Sequence, residues 1–182
     1  MRTVNGIQTK LVEISENDAE DIVKLRNDQS NNKYLFQKPL TVEGQRKWIL
    51  ENQKKNDAVN FKVLNTKKEF TGTISIYDIK NGRGEFGRYI VSNALNAVES
   101  EYLLLKFCFT DLNLNTVYCQ TNIENKKSWK LHLKLGFKPV ETKKVLVGSA
   151  PQIFVDAYIQ EIHKTEFENF NYEEIFELLK SF

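Results

Sequence analysis

The stretch that decides the fold is Asn125-Lys126-Lys127-Ser128-Trp129-Lys130-Leu131-His132-Leu133-Lys134-Leu135-Gly136-Phe137. It predicts a short helix entered from a polar loop. Asn125 suits the N-terminal cap, because its side-chain oxygen can accept from an orphan backbone N–H of the first turn. Trp129, Leu131, Leu135 and Phe137 supply apolar surface. Gly136 falls where a left-handed residue closes many helices. His132 lies mid-helix on a cationic segment. The helix gains meaning from its place after a long apolar helix and a strand.

Working outward, residues 9–14 alternate like a strand. Residues 16–25 read as a helix, with Ala19, Ile22, Val23 and Leu25 near helical spacing and Ser15 as a cap; Arg26-Asn27-Asp28 ends it in a polar turn. Residues 41–53 form a second helix with Val42, Trp48 and Ile49 inward. A meander follows over 60–64, 70–79 and 85–91. In it Ile74 and Ile76 alternate with Ser75 and Tyr77, and Asn81-Gly82 supplies the φ > 0 of a hairpin turn. Residues 98–112 carry Tyr102, Leu103, Leu105, Phe107, Cys108 and Phe109 on a long helix. A strand at 115–121 precedes the opening helix, and a strand pair at 140–147 and 152–162 follows it. This order predicts an α+β, or mixed α/β, fold built on one sheet. The tail, with Phe170, Tyr172, Ile175, Phe176, Leu179 and Phe182 at mostly helical spacing, predicts a C-terminal amphipathic helix. It would pack on its own domain, or serve as a lid or as a contact in a homodimer. The expected division is a domain over 1–162 and an extension over 163–182.

A chain of 182 residues fits one domain with a full core. Its net charge of +2 and the lack of aromatic-basic interleaving speak against a nucleic-acid partner. Short Lys pairs such as Lys67-Lys68 read as solvated faces. Cys108 and Cys119 lie in apolar runs, with no CxxC and no paired His/Cys spacing, so no metal is expected. Two buried free thiols suit a reducing compartment. No signal peptide is evident, and no window approaches the roughly 20 apolar residues of a membrane span. A soluble, cytoplasmic protein without a membrane partner is expected.

Three strings in this order carry a resemblance: Asp18-Ala19-Glu20-Asp21-Ile22 through Leu25-Arg26-Asn27-Asp28, then Glu85-Phe86-Gly87-Arg88-Tyr89-Ile90-Val91, then Asn125 to Phe137. The chain resembles the GCN5-related N-acetyltransferase (GNAT) superfamily over roughly residues 10–162. The resemblance implies a mostly antiparallel sheet splayed at the cofactor site and flanked by helices. It also implies acetyl-CoA as co-substrate and a small-molecule amine as acceptor, attacking the thioester directly in a ternary complex. In such a fold Arg88, Tyr89, Ile90 and Val91 would part from their parallel neighbour and hold the pantetheine arm. The loop 92–98 would meet the pyrophosphate at a helix N-terminus, where unpaired N–H groups favour anions. Relatives place glycines there. This chain has Ser92-Asn93-Ala94-Leu95-Asn96-Ala97, so Asn96, Ala97 and Val98 are the expected contacts, Asn tolerating unusual φ. Asn125 and Ser128 would touch the cofactor arm.

His132 matches the position where many relatives carry a tyrosine that protonates the departing thiolate. A histidine of ordinary pKa near ~6.5 can serve a thiol of pKa near ~8.5. Glu85 falls at the family's frequent base position and would help remove the amine's proton. Arg26, Asn27 and Tyr77 would line the acceptor site. The first two strings look most like the bacterial subgroup that acetylates nucleotide-linked amino sugars, whose phosphates would welcome Arg26, Lys33 or Lys38. The alternatives are acetylation of a protein N-terminus or an aminoglycoside, and a non-catalytic GNAT-fold binding module.

Overall fold

Alternation over residues 70–80 builds the centre of the sheet. In the computed structural model, which describes residues 1–31, 33–34, 39–149 and 152–181, strand β4 (Phe70–Lys80) turns the fully buried Ile74 and Ile76 to one face. Thr73, Ser75 and Tyr77 therefore take the other, since successive side chains alternate. Lys38 and Phe182, singled out in the sequence, lie outside the described residues. Strand β5 (Arg83–Val91) returns through Asn81 and Gly82, at φ +53° and +72°, the pair of left-handed residues that a type I′ turn requires.

The remaining strands are β1 (Thr3–Asn5), β2 (Thr9–Glu13), β3 (Val59–Asn65), β6 (Thr116–Asn122), β7 (Lys138–Ser149) and β8 (Gln152–His163). The described residues form one sheet in the order β1-β2-β3-β4-β5-β6-β8-β7. Every neighbouring pair is antiparallel except β5 with β6. That parallel ladder is short: Arg83, Gly84 and Glu85 pair with Thr116, Val117 and Tyr118, and there it stops. Residues 86–91 continue as β5 without a ladder partner on β6. The strands thus part at Glu85, well before Val91.

A bulge accompanies the parting. The β4–β5 register steps from Ser75↔Gly87 to Thr73↔Ile90, so Arg88 and Tyr89 together face Ile74. Such an insertion bends the strand and sharpens its twist. Arg88 takes φ +49°, and its carbonyl accepts from Thr73 Oγ1 at 3.1 Å. Close approach makes two glycines necessary. A Cβ at Gly87 would lie 2.5 Å from Tyr77 Oη, and one at Gly72 would lie 2.1 Å from the Ile90 carbonyl oxygen.

Helix α1 (Ala19–Asn27) and helix α2 (Val42–Asn52), capped by Thr41 on the Gly44 N–H, share a small core of Ile14, Ala19, Ile22 and Ile49 on the polar side of β3 and β4. Helix α3 (Ala94–Thr110) lies on the apolar side. There Leu103, Leu104, Phe107 and Cys108 join Leu11, Phe61, Ile74, Ile76 and Phe86 in the main core. Each such side chain contributes about 1.5–3 kcal/mol when fully buried. Helix α4 (Lys126–Lys134) is the helix expected from the opening stretch, with Asn125 capping the Ser128 N–H and Gly136 at φ +98°.

Two elements depart from the expected pattern. Helix α3 begins four residues before 98, because Asn93 accepts from the N–H groups of Leu95 and Asn96 and starts the helix there. The tail is two helices, α5 (Lys164–Asn169) and α6 (Glu173–Lys180), separated where Phe170 adopts an extended conformation. Its rings gather on α3: Phe167, Tyr172 and Phe176 pack around Tyr102 with centroids 4.9–5.7 Å away. Leu179 is fully buried, and its carbonyl accepts from Gln8 Nε2. Among the described residues no helix is long and apolar enough to cross a membrane.

Candidate active site

The parting of β5 from β6 opens a cavity of about 190 Å³. Tyr77 and Gln120 line it from the face under α1 and α2, whereas Tyr89, Cys119 and His132 line it from the face under α3 and α4. The cavity therefore passes through the sheet. Asn125 and Ser128, at the start of α4, form part of its wall, as do Gly87 and Arg88. Of the residues predicted for the site, Tyr77, Arg88, Tyr89, Asn125, Ser128 and His132 converge on this one opening.

Glu85 belongs to the last parallel pair, at the base of the opening. Its Oε1 accepts from Tyr77 Oη at 3.0 Å and its Oε2 from Gln120 Nε2 at 3.1 Å. The nearby arginines are engaged elsewhere, Arg83 with Glu161 and Arg88 with Asn60. Burial, then the Glu85 carboxylate, pushes the Tyr77 phenol up. Burial and the same carboxylate bring Tyr118 up to about 12. Both phenols stay neutral donors around Glu85 through the physiological range.

On the opposite face His132 is almost wholly buried, 3% exposed, yet lines the cavity. Its Nδ1 lies 2.8 Å from Oε1 of Glu101, which has no exposed surface. The imidazole is held by Phe86, with ring centroids 5.1 Å apart, and by Phe137 at 5.6 Å. Sequence reading missed Glu101. Its signal was a carboxylate on the apolar stripe of α3, one turn from Leu104 and Leu105 and two from Cys108.

A second cavity, of about 410 Å³, lies between α1, α2 and the polar face of β3 and β4. Arg88 lines both cavities. Its guanidinium sits 4.2 Å from the Tyr77 ring centroid and 5.0 Å from that of Trp48, a cation–π arrangement. Arg26 lines the same cavity. Burial, then the charge of Arg88, depresses the Arg26 pKa; burial likewise depresses that of Arg88. No carboxylate is among the described lining residues. Asn27 does not line it: its side chain bonds both the N–H and the carbonyl of Leu40 and so ties the end of α1 to the start of the next segment.

Of the expected phosphate loop 92–98, residues 94–98 are helix, the start of α3, and Ser92 and Asn93 precede it. Asn96 sends its side chain to the Gln8 carbonyl and Thr9 Oγ1, and its N–H goes to Asn93. The Ala97 carbonyl accepts from Tyr89 and Ser100. Val98 follows within the first turns of α3. Asn93 has thus taken two of the N–H groups that an anion would use. Ile90 is buried, which leaves its backbone as the part facing the unpaired strand edge.

A strand edge free of its parallel neighbour, beside a helix that starts where the strand ends, is an arrangement known from acetyltransferases. A family model of the acetyltransferase (GNAT) domain matches residues 9–138. The chain belongs to the GNAT family; it is an N-acetyltransferase of a family that uses acetyl-CoA. No curated protein matches the sequence. Among solved structures, FdhC, a nucleotide-linked sugar GNAT, is similar with a TM-score of 0.82 at 21% identity over 98% of each chain. Spermidine N-acetyltransferase from Vibrio cholerae, in complex with CoA and spermine, is similar with a TM-score of 0.77 at 20% identity over 90% of this chain and 100% of that one. A GNAT-family acetyltransferase from Bacillus anthracis gives a TM-score of 0.76 at 20% identity, over 91% of this chain and 100% of that one. At such identities the likeness is one of fold.

Proposed function

We propose that this N-acetyltransferase acetylates the amino group of a nucleotide-linked amino sugar. The observation that carries the proposal is the pair Arg26 and Arg88 in one partly desolvated cavity without a described carboxylate. Two neighbouring guanidiniums repel each other and gain from an anion between them, and the planar fork suits phosphate oxygens. A polyamine or an aminoglycoside would meet repulsion there. FdhC, with coverage of 98% on both chains, acts on the class of acceptor proposed.

In this reading acetyl-CoA enters the opening between β5 and β6, its pantetheine arm along the backbone of Arg88–Val91 and against Asn125 and Ser128. The acceptor lies in the larger cavity and brings its amine past Arg88 and Tyr77 to the thioester. Glu85 takes the amine's proton directly or through water, while Tyr77 and Gln120 hold the carboxylate in place. The nitrogen attacks the carbonyl carbon, the C–S bond breaks, and His132 returns a proton to the sulfur.

Thiol release measured with a nucleotide-diphosphate amino sugar, spermidine and a peptide amine tests the proposal. The amino sugar is expected to be the best substrate, and Arg88→Ala is expected to raise its KM about tenfold or more, the scale of one charge-assisted hydrogen bond. Preferential turnover of spermidine, or a KM indifferent to both Arg88→Ala and Arg26→Ala, would overturn it.

A further inference from the structure

We propose that Glu101 is a positioning residue that fixes the proton-bearing tautomer of His132, so that Nε2 is the nitrogen presented to the opening between β5 and β6. The inference rests on the reading of His132 as the acid for the departing thiolate. Three features of the molecule carry it. Glu101 and His132 approach to 2.8 Å at 0% and 3% exposure, so no water competes for Nδ1. Rings on two sides, Phe86 and Phe137, pack against the imidazole with centroids 5.1 and 5.6 Å away, in the orientation that sets Nδ1 against the carboxylate. Finally, Glu101 Oε2 is buried with no hydrogen-bond partner among the described residues, so Nδ1 of His132 is the single described donor to this carboxylate.

The chemistry follows from the ring's two ends. A carboxylate oxygen against Nδ1 accepts from Nδ1–H and so keeps a proton on that nitrogen, which leaves Nε2 as the end that faces the opening. As the C–S bond breaks, Nε2–H passes its proton to sulfur and CoA leaves as the thiol. The neutral imidazole that remains still holds Nδ1–H on Glu101, and Nε2 recovers a proton from solvent. The proton lost by the amine balances the one gained. Without Glu101 the neutral ring could carry its proton on either nitrogen.

The other titratable groups around the pair are Tyr89 from β5, Cys119 from β6 and Tyr172 from the tail. Burial raises all three, the Glu101 charge adding to each, and they stay neutral at pH 7. None of them can replace the carboxylate as an anionic partner.

The isosteric Glu101→Gln decides between positioning and a merely structural tie between α3 and α4. It is expected to lower kcat about ten- to hundredfold, the range seen when an outer partner of a functional histidine is removed. The Kd for acetyl-CoA by titration calorimetry should stay within about twofold, and the pH–rate profile should shift. In ¹⁵N NMR of histidine-labelled wild-type protein, His132 (assigned with His132→Asn) should keep a proton on Nδ1 both in the doubly protonated form that donates from Nε2 and in the neutral form left after transfer. Wild-type kcat and profile in Glu101→Gln, with His132→Phe slow, would overturn the proposal. Wild-type kcat in His132→Phe would instead remove the underlying role of His132. Should Glu101→Gln fail to fold, the wild-type tautomer decides: a bare Nδ1 with the proton on Nε2 contradicts the proposal.

Discussion

Glu85 and Glu101 flank one opening from opposite faces of the sheet, and they are built differently. Glu85 sits at the half-exposed base of the fork and accepts from a phenol and an amide on neighbouring strands. Glu101 is sealed on the core side of α3 and meets one imidazole. A carboxylate reached by solvent can load and unload protons during turnover. A sealed one with a single partner can only govern where that partner keeps its proton. The difference teaches that two like groups divide acid and base work by surroundings rather than by type.

Glu85→Gln tests the exposed side with the largest expected effect. The amide keeps the shape and the Gln120 contact but cannot take a proton. Turnover should fall about 100-fold, as for removal of a general base. Turnover near that of the wild type would move the base elsewhere. A smaller effect is expected from Tyr77→Phe, which deletes one hydrogen bond to Glu85. A loss of about 1 kcal/mol corresponds to a kcat change of roughly fivefold, measured by thiol release, with stability in urea little altered. A change as large as that of Glu85→Gln would make Tyr77 a proton carrier itself.

The smallest effect sharpens the neutrality of the phenols. Tyr118, brought up to about 12, and Tyr77 and Tyr89, also raised, bind protons more tightly folded than at the unfolded value of 10.0. Their contribution to stability is complete below pH 10 and is lost as pH rises through the folded values. Tyrosinate absorbance from these residues should therefore trail the other tyrosines in a spectrophotometric titration and appear with loss of ellipticity. Full ionisation near pH 10 in folded protein would contradict their burial.

Much of this was legible in the sequence, for identifiable reasons. Strict alternation at Ile74 and Ile76, the Asn81-Gly82 turn and the Asn125 cap with Gly136 are local codes, and they set the β4–β5 hairpin and α4 as expected. The three strings carried the family. What stayed hidden depends on contacts between distant segments. Asn93 caps α3 and turns residues 94–98 from loop into helix, so Asn96 and Ala97 stand in the first turn of α3. The point where β5 leaves β6 depends on a bulge at Arg88, which no periodicity announces. The pairing of Arg26 with Arg88 and of Glu101 with His132 required the sheet to be assembled first.

The most direct test of the account is a crystal structure of the protein with CoA and the nucleotide portion of the acceptor bound. The account predicts the CoA sulfur in the gap between β5 and β6, on the His132 side and within reach of Nε2, with the acceptor's phosphates between Arg26 and Arg88. A closed gap, or a sulfur lodged away from both His132 and Glu85, would contradict it.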